Sequence, residues 1–439
     1  MFLFFNKILQ YNVGPEDSVR PYLNFFSKKN LILLFIIFLL LILLAYVTNI
    51  TSIPDSVILF EDDELSLETI AGVKIQEKSN DAIEASTKLN DDKVSNNSLD
   101  NKKEYNLSLL GVNLKTITAN IIPETRVVPL GDLVGLKLYT KGVLVVGISE
   151  IKGEDNKTYK PYEEAGIEQG DSIIKINDEK IESTEDLLEC VGKTNGKTMS
   201  MTYIKGGEEV EKTITPVKTS KNTYKLGIWV RDAGAGVGTL SFYDETANTI
   251  ASLGHGIQDV DTEEMLDISS GEFVTAEIVN IKKGEENNPG RIEGTIEDSK
   301  NLGTVYSNTR FGVYGKINNK NELNIDTSKA IKVALRNEIK EGDAKIICTL
   351  EDGKKEEYNV RIQKIFKNNN ENNKSMIVKV TDERLLEKTG GIIQGMSGSP
   401  IIQNGKMIGA LTHVLVSDPT MGYGVFADLM LKEIKNVCL

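Results

Sequence analysis

The chain has 439 residues, of which 40% are hydrophobic, and its formal net charge at pH 7 is −13. This length suits about three domains, and the hydrophobic content excludes a wholly disordered chain. The acidic balance, with no Lys/Arg-rich patch to offset it, argues against a nucleic-acid-binding protein. Three widely spaced cysteines and two histidines exclude a disulfide framework and a thiolate zinc site of the usual spacing, and they argue against a multi-histidine metal centre.

Residues 31–47 are seventeen consecutive apolar residues without a charge. As a helix they span about 26 Å, close to the roughly 30 Å hydrocarbon core of a bilayer. The preceding segment carries four basic side chains against two acidic ones, whereas the acidic run Glu61–Glu64 follows. The positive-inside rule therefore predicts a cytoplasmic tail over 1–30, a transmembrane anchor over 31–48 and an extracytoplasmic remainder. A cleaved signal peptide is the alternative, although no A-x-A cleavage site follows.

Residues 49–122 are predicted to be a stalk that links the anchor to the folded domains. Within it, residues 76–104 are polar, rich in Asn, Asp, Ser and Lys, and poor in aromatic residues. Such a segment cannot bury enough apolar surface to offset the entropy lost on ordering. We therefore expect residues 76–104 to be disordered.

Residues 123–218 have the element order of a small α+β domain. The strand-like run Gly142–Val146 is followed by A-G-I-E-Q-G-D at 165–171 and by an alternating apolar strand. A helix is predicted to start near Ser183, which suits its N-cap. This order, and above all the pattern A-G-I-x-x-G-D-x-I-x-x-I-N, resembles the PDZ domains of bacterial proteases.

The PDZ resemblance implies a peptide-binding strand at Gly135, Leu136, Lys137 and Leu138. A peptide end or segment would add beside this strand, with its carboxylate on backbone N–H groups. A small β-rich spacer, whose glycines only make turns, is the alternative interpretation.

Residues 220–439 contain short β-like runs separated by turn residues, which predicts an all-β barrel or sandwich. Asn404-Gly405, between the last two runs, is typical of a type I′ hairpin turn. The polar segment 367–374 is expected to be a surface loop. Helices are expected only over 382–388 and after Ala427.

The string Gly395-Met396-Ser397-Gly398-Ser399-Pro400 precedes one of these predicted strands. A serine nucleophile needs a tight turn whose backbone N–H groups face the developing oxyanion, and flanking glycines permit that geometry. The string is similar to the G-D-S-G-G-P turn of chymotrypsin-like peptidases, with Met396 replacing the aspartate and Ser399 the last glycine. The similarity implies that Ser397 is the nucleophile and that the N–H groups of Gly395 and Ser397 form the oxyanion hole.

Gly254-His255-Gly256 directly follows the predicted strand 249–253. A histidine at a strand end, freed by glycines on both sides, suits a general base. The order histidine then serine also matches chymotrypsin-like enzymes, so we predict that His255 is the base. A turn or packing role is the alternative. His413 ends a strand beyond the serine and is expected to be structural or to line the pocket.

The carboxylate that would orient the histidine is less clearly marked. Asp382 ends a predicted strand fifteen residues before the serine and is the favoured candidate. A strand-end aspartate can equally cap the short helix that follows. Chymotrypsin-like enzymes place this residue nearer the middle of the domain, where Asp326 or Asp343 lies.

Two longer stretches are similar to the stage IV sporulation protein B peptidases: S-L-G-H-G-I-Q-D-V-D-T at 252–262, and T-G-G-I-I-Q-G-M-S-G-S-P-I-I-Q-N-G-K-M-I-G-A-L-T-H-V at 389–414. The resemblance covers about 320 residues and implies that His255, Asp382 and Ser397 form a catalytic triad. The expected fold is mainly β: a transmembrane helix, an α+β PDZ domain, and a chymotrypsin-like double β-barrel peptidase domain over 220–439.

The resemblance also implies a serine endopeptidase of sporulation, located between the forespore and mother-cell membranes. Such an enzyme cleaves itself in trans and cleaves the extracytoplasmic part of a membrane regulator, stage IV sporulation protein FA, which triggers sigma-factor processing. Its expected partners are this membrane-protein substrate, peptide segments bound by PDZ, and the lipid bilayer through one helix, but no nucleic acid. Serine chemistry needs no metal or organic cofactor.

Two other functions stay open from the sequence. A general extracytoplasmic quality-control protease also joins a chymotrypsin-like domain to PDZ, but it places the protease first. A non-catalytic PDZ membrane scaffold has no need for the paired histidine and serine motifs.

Overall fold

The computed structural model describes residues 28–53, 55–60, 65, 69, 72–78, 102–122, 124–318, 320–351, 353–366 and 373–437. The chain forms two compact units, residues 1–122 and 123–439. The predicted tail up to residue 27, the centre of the predicted disordered segment (79–101) and most of the predicted polar loop (367–372) lie outside the described residues.

The first unit begins with α1 (Lys28–Ser52), a helix of 25 residues. Its part Ile32–Ser52 is long and apolar enough to cross a membrane, the one such helix in the described part of the chain. The apolar side chains Leu33, Phe35 and Phe38 are exposed, as expected of a helix that faces lipid. The predicted N-terminal apolar helix is confirmed.

A small sheet follows, built from β1 (Ser56–Phe60), β2 (Val73–Glu77), β3 (Lys102–Leu109) and β4 (Val112–Ile122) in the order β1-β4-β3-β2. Leu107 and Ile117 are fully buried in one of its two small clusters. The predicted stalk thus contains a four-stranded sheet. β2 and β3 enter the ends of the segment expected to be disordered, because apolar residues alternate there with polar ones.

The second unit is mainly β. Its strands are β5 (Arg126–Pro129), β6 (Leu133–Ile148), β7 (Ile151–Lys152), β8 (Thr158–Tyr159), β9 (Ser172–Ile176), β10 (Glu179–Lys180), β11 (Met199–Lys205), β12 (Glu208–Ile214), β13 (Val217–Lys218), β14 (Tyr224–Lys225), β15 (Ile228–Asp244), β16 (Thr249–Ser252), β17 (Ile268–Lys282), β18 (Arg291–Thr309), β19 (Gly312–Ile317), β20 (Ile331–Lys332), β21 (Gly342–Thr349), β22 (Lys355–Ile365), β23 (Met376–Val380), β24 (Pro400–Gln403), β25 (Lys406–Val414) and β26 (Met421–Phe426). Its α-helices are α2 (Pro161–Ala165), α3 (Thr184–Lys193), α4 (Glu383–Thr389) and α5 (Ala427–Val437).

Two closed barrels form most of this unit. In the first, β6, β17, β18, β19, β16 and β15 pair in that order, and β15 returns to β6. The second closes in the order β21-β22-β23-β26-β25-β24. One large cluster of buried side chains includes Phe242 and Tyr314 of the first barrel together with Phe426 of the second. This cluster joins the two barrels, whereas Leu136, Phe273 and Val313 of the first barrel belong to a separate cluster. The predicted double-barrel fold is confirmed.

The PDZ part shares two strands with the first barrel. The second half of β6 pairs with β9, which continues to β11 and β12, and the start of β15 pairs with the other edge of β6. This sheet and α3 enclose a separate core that includes Val143, Ile173, Leu187 and Tyr203. The chain leaves the barrel along β6, builds the PDZ part, and re-enters the barrel along β15.

Local sequence signals explain several of these elements. Ser183 caps α3 in a capping box with Asp186, as the serine at that position predicts. Asn404 and Gly405 both have positive φ, 51° and 75°, in the two-residue turn between β24 and β25. These are the angles of a type I′ turn, so the hairpin prediction is confirmed.

Candidate active site

The predicted serine and histidine lie where the two barrels meet. His255 follows β16 of the first barrel, and Ser397 precedes β24 of the second. Thr239 of β15 bridges the barrels, because its amide donates to the Ser397 carbonyl oxygen at 2.9 Å and its hydroxyl donates to the Gly395 carbonyl oxygen at 2.8 Å. A strand of the first barrel thus holds the serine turn of the second.

The serine turn depends on glycine at two positions. Gly395 and Gly398 have φ of 99° and 100°, a region that side chains rarely adopt. A Cβ on Gly398 would lie 1.9 Å from the carbonyl oxygen of Thr239 and 2.6 Å from the amide nitrogen of Leu253. The turn therefore packs so closely on the strand that leads to His255 that only glycine fits.

The two serines of the turn have different environments. Ser399 is fully buried and donates to the Met396 carbonyl oxygen at 2.6 Å. Ser397 is half-buried, and its hydroxyl donates to the carbonyl oxygen of Thr412 at 2.5 Å. Ser397 is therefore the serine that a substrate can approach, and Ser399 closes the turn from inside.

The backbone N–H groups of Gly395 and Ser397 donate to no acceptor in the part of the chain that the structure describes. Both residues are half-buried. Backbone N–H groups that are shielded from water and have no acceptor usually destabilise a fold. An oxyanion between these two groups would accept a hydrogen bond from each.

His255 is held by its own loop. Its Nδ1 lies 2.8 Å from the carbonyl oxygen of Gly256. Since a carbonyl oxygen only accepts, Nδ1 carries the proton in the neutral ring, and Nε2 has the free lone pair. Burial lowers the pKa of His255, and the bond to Gly256 opposes that shift. His255 is therefore neutral at pH 7, as a general base must be.

His413 lies against this histidine. The two ring centroids are 4.6 Å apart, with an angle of 34° between the planes. Nδ1 of His413 is buried and has no hydrogen-bond partner among the described residues. Burial, together with the neighbouring His255, lowers the pKa of His413 to about 4. His413 is thus a second neutral ring at pH 7, and its contact with His255 fits the expectation that it is structural or lines the pocket.

Asp382 lies at the N-terminus of α4 and caps it. Its carboxylate accepts hydrogen bonds from the backbone amides of Asn359 and Arg384, both at 3.1 Å, and from the Arg384 guanidinium. The guanidinium lowers the pKa of Asp382, and burial opposes that shift. These hydrogen bonds join Asp382 to α4 and β22, whereas Nδ1 of His255 pairs with Gly256.

The two other candidate carboxylates are also engaged elsewhere. Asp326 caps a short 3₁₀ helix by accepting from the amide of Ser328 at 3.1 Å. Asp343 lies on β21, is 90% exposed, and pairs with Arg361 at 3.2 Å. In the described contacts, the Gly256 carbonyl oxygen takes the place that an orienting carboxylate was expected to fill.

The predicted PDZ strand lies in the first barrel. Residues 135–138 of β6 pair with residues 234–237 of β15 on one side and with residues 271–274 of β17 on the other. Both edges of this strand are therefore occupied, and a peptide could add there only if β15 or β17 left. The expectation of strand addition beside Gly135–Leu138 does not fit this arrangement, because β6 runs on as one strand instead of folding back.

Several residues at the site carried no signal in the sequence. Thr239 holds the serine turn, and Asn308 holds the loop after His255 through bonds to Ile257 and Leu266. Each acts across a long sequence separation, so only the pairing of the barrel strands brings it to the site. No group of three or more His, Cys, Asp or Glu side chains that could hold a metal ion occurs in the described ranges.

Comparisons with known proteins agree with this division of the second unit. Residues 222–431 match the family described as SpoIVB peptidase S55, and residues 110–215 match the PDZ domain family. The first match contains both the histidine and the serine turn. The PDZ match contains α2, α3 and the strands β9, β11 and β12 that pack with α3 around the PDZ core.

Individual relatives cover less of the chain. A Clostridium perfringens protein, provisionally named as a zinc metalloprotease, is 26% identical over 112 residues, which is 24% of this chain and 33% of that protein. The chain thus spans about a third of this curated relative's length.

Two solved structures show local similarity. The PDZ domain of an SdrC-like protein from Listeria monocytogenes covers 20% of this chain and 87% of its own, with 21% identity and a TM-score of 0.17. The Rv3671c protease from M. tuberculosis, in its active form, covers 46% of this chain and 74% of its own, with 12% identity and a TM-score of 0.25.

The two family matches cover most of the second unit and the last strand of the first, and the peptidase match contains the histidine and the serine turn in the expected order. Residues 222–431 are therefore a domain of the SpoIVB peptidase S55 family, in a chain that also carries a PDZ domain.

Proposed function

We propose that this peptidase is a membrane-anchored endopeptidase in which Ser397 is the nucleophile and His255 the general base. The observation that carries the proposal is the serine turn, which has an approachable hydroxyl and two amides with no protein acceptor in the described residues. The hydroxyl donates to Thr412, and the next residue, His413, packs against the neutral ring of His255. This combination supports acyl transfer, because the negative charge that develops on a scissile carbonyl oxygen can accept hydrogen bonds from donors already in place.

The proposed reaction begins when the Ser397 hydroxyl turns away from the Thr412 carbonyl oxygen and donates to Nε2 of His255. His255 takes the proton as Ser397 attacks the peptide carbonyl, and the amides of Gly395 and Ser397 stabilise the oxyanion. The imidazolium then protonates the leaving amine, and neutral His255 activates water to hydrolyse the acyl-enzyme. The Gly256 carbonyl oxygen holds the proton on Nδ1 throughout.

The proposed substrates follow from the family. They are the chain itself, cleaved in trans, and the extracytoplasmic part of a membrane regulator, stage IV sporulation protein FA, in the space between the forespore and mother-cell membranes. The apolar helix α1 supports this proposal, because an anchored enzyme and an anchored substrate share a thin compartment and meet at high effective concentration.

A serine-directed fluorophosphonate tests the chemistry. We expect the full chain in detergent to be labelled, and the labelled peptide to carry the probe on Ser397. Ser397→Ala is the control and should take up no label. Absence of label on the wild type would favour the scaffold, and degradation of unfolded casein without a defined site would favour the quality-control protease.

We also propose that the PDZ part binds peptide segments at the outer edge of the first residues of β15. Ile228–Arg231 pair with β6 on one side, and among the described strands none pairs with the other side. α3 lies beside this strand, since the Thr184 amide donates to Asp232 at 2.7 Å. Leu188 of α3 is 65% exposed. A free strand edge beside a helix with an exposed apolar side chain supports strand addition.

Trp229 provides the readout for peptide binding. It is the only tryptophan of the chain, and it is 64% exposed on the proposed edge. We expect 15-residue peptides that tile residues 49–122 to include one that shifts its fluorescence in a saturable way, and Leu188→Lys to weaken that binding at least tenfold. If no such peptide shifts the signal, recognition of the chain's own N-terminal region at this edge is wrong.

A further inference from the structure

The loop that follows His255 is held from two sides. On the barrel side, the side-chain amide of Asn308 donates to the carbonyl oxygens of Ile257 and Leu266, both at 2.9 Å, and accepts from the Ile257 amide at 2.9 Å. These three bonds secure the two ends of the loop. The loop begins with Gly256, whose carbonyl oxygen orients the catalytic ring.

On the other side, Arg231 holds the middle of the loop. Its guanidinium pairs with Asp259 and, at 2.7 Å, with Asp261. The Asp259 side chain is only 1% exposed and also accepts from the backbone amides of Asp261 and Thr262, at 2.9 and 3.0 Å. The Asp259 carboxylate thus binds two backbone amides of the loop, and Arg231 neutralises the charge of that carboxylate.

Arg231 comes from the PDZ part of the unit. It lies on β15 opposite Leu144 of β6, within the edge proposed to receive peptides. Gln169, in the loop between α2 and β9, adds a second contact from the same side by donating to the Asp261 carbonyl oxygen at 2.9 Å. The PDZ part therefore contacts the loop of the catalytic histidine directly.

This ion pair differs from the many exposed pairs on the surface. Burial by itself raises the pKa of Asp259, but the two loop amides and Arg231 hold it below its usual value. An exposed pair contributes little, whereas removal of the cation from a buried carboxylate leaves an uncompensated charge that the structure must expose or rearrange. Here the segment that would rearrange is the loop that starts at His255.

We propose that Arg231 is a positioning residue for the reaction, which holds the His255 loop in register through Asp259 and Asp261. The inference rests on the proposed role of His255 as base. Arg231 touches no reacting atom; it acts through the loop and the Gly256 carbonyl oxygen, which set the direction of Nε2. A displacement of about 1 Å at a catalytic group can cost about 100-fold in rate.

The test is the concentration dependence of fluorophosphonate labelling, which separates the maximal rate of inactivation from probe affinity without any known substrate. In the full chain, Arg231→Gln should lower the maximal rate by about 10- to 100-fold, with probe affinity within about twofold. Arg231→Lys, which keeps the charge, should recover part of the rate. Arg361→Gln is the matched control, because Arg361 forms an exposed pair with Asp343 in the second barrel, and it should label like the wild type.

Hydrogen exchange provides a readout that general destabilisation would not produce. Amides 256–266 should exchange faster in Arg231→Gln, while those of α3 and of the second barrel should keep wild-type rates. Equal maximal labelling rates in Arg231→Gln and the wild type, or a change in probe affinity alone, would overturn the inference.

Failure of the proposed function would look different, since the wild type itself would then not label at Ser397. Should Arg231→Gln fail to fold, Asp261→Asn serves as the second variant, because the Asp261 side chain is 47% exposed. We expect it to lower the maximal rate by about three- to tenfold, and an unchanged rate would equally refute the role of Arg231.

Discussion

Ser397→Ala should lower peptide hydrolysis by about 10⁴- to 10⁶-fold, the loss typical of removing a serine nucleophile. Ser399→Ala should keep activity within about threefold and lower the free energy of unfolding by about 1 kcal/mol, the usual contribution of one hydrogen bond. The contrast follows from their environments: Ser397 is half-buried, whereas Ser399 is fully buried and closes the turn on Met396. Self-cleavage of the full chain, followed by intact mass over time, measures the activity.

Chemical denaturation of the same two variants measures their stability. Ser397→Ala should unfold at nearly the wild-type midpoint, so that its inactivity cannot be assigned to misfolding. If Ser399→Ala were inactive and Ser397→Ala retained full proteolysis, the nucleophile would have been assigned to the wrong serine.

His255→Gln should lower the rate by about 10⁴-fold or more, because the reaction loses its only base. In the wild type, burial lowers the pKa of His255 below its ordinary value of 6.5. The neutral, active form therefore persists as pH falls through 6.5, and kcat/KM should decline only at lower pH, once His255 becomes protonated. A pH profile of fluorophosphonate labelling measures this acid limb.

Two further variants test His413, which packs against His255, and Asp382, the predicted orienting carboxylate. His413→Gln should lower the rate by less than about tenfold, because the two rings meet in a packing contact and not in a hydrogen bond. Asp382→Asn keeps a side chain that can cap α4 and should leave the rate within several-fold. A loss near 10⁴-fold in Asp382→Asn would instead support the orienting role that the family resemblance implies, and would require its carboxylate to leave Arg384.

Local signals account for the elements that could be predicted. The apolar run that became α1, the serine cap of α3 and the Asn-Gly turn between β24 and β25 each need only their own neighbours to form. Such features are short, and their physics is local. The serine turn is local only in part: its glycines have positive φ, but Gly398 is also required by close packing on Thr239 and Leu253 of the first barrel.

The misplaced features all depend on long-range pairing. The PDZ resemblance implies a peptide-binding strand at Gly135–Leu138, but β6 continues through the barrel into the PDZ part, and both edges of these residues are paired. The predicted stalk contains a sheet because β2 and β3, which are far apart in the sequence, pair with each other. In a β protein, the strand that pairs with a given edge depends on the complete strand order. The residues of one strand do not identify that partner.

Residue patterns alone predicted the N-terminal apolar helix, the mainly β character, the PDZ and peptidase parts, and the two short strings that carry His255 and Ser397. Only the tertiary structure decided how those strings meet: Thr239 and Asn308 hold them, Gly256 orients the imidazole, and His413 packs against it. This difference follows from the sequence separation of the residues that interact. Turns, caps and apolar runs are set by residues a few positions apart, whereas a catalytic site between two barrels is set by strand pairings that span more than a hundred residues.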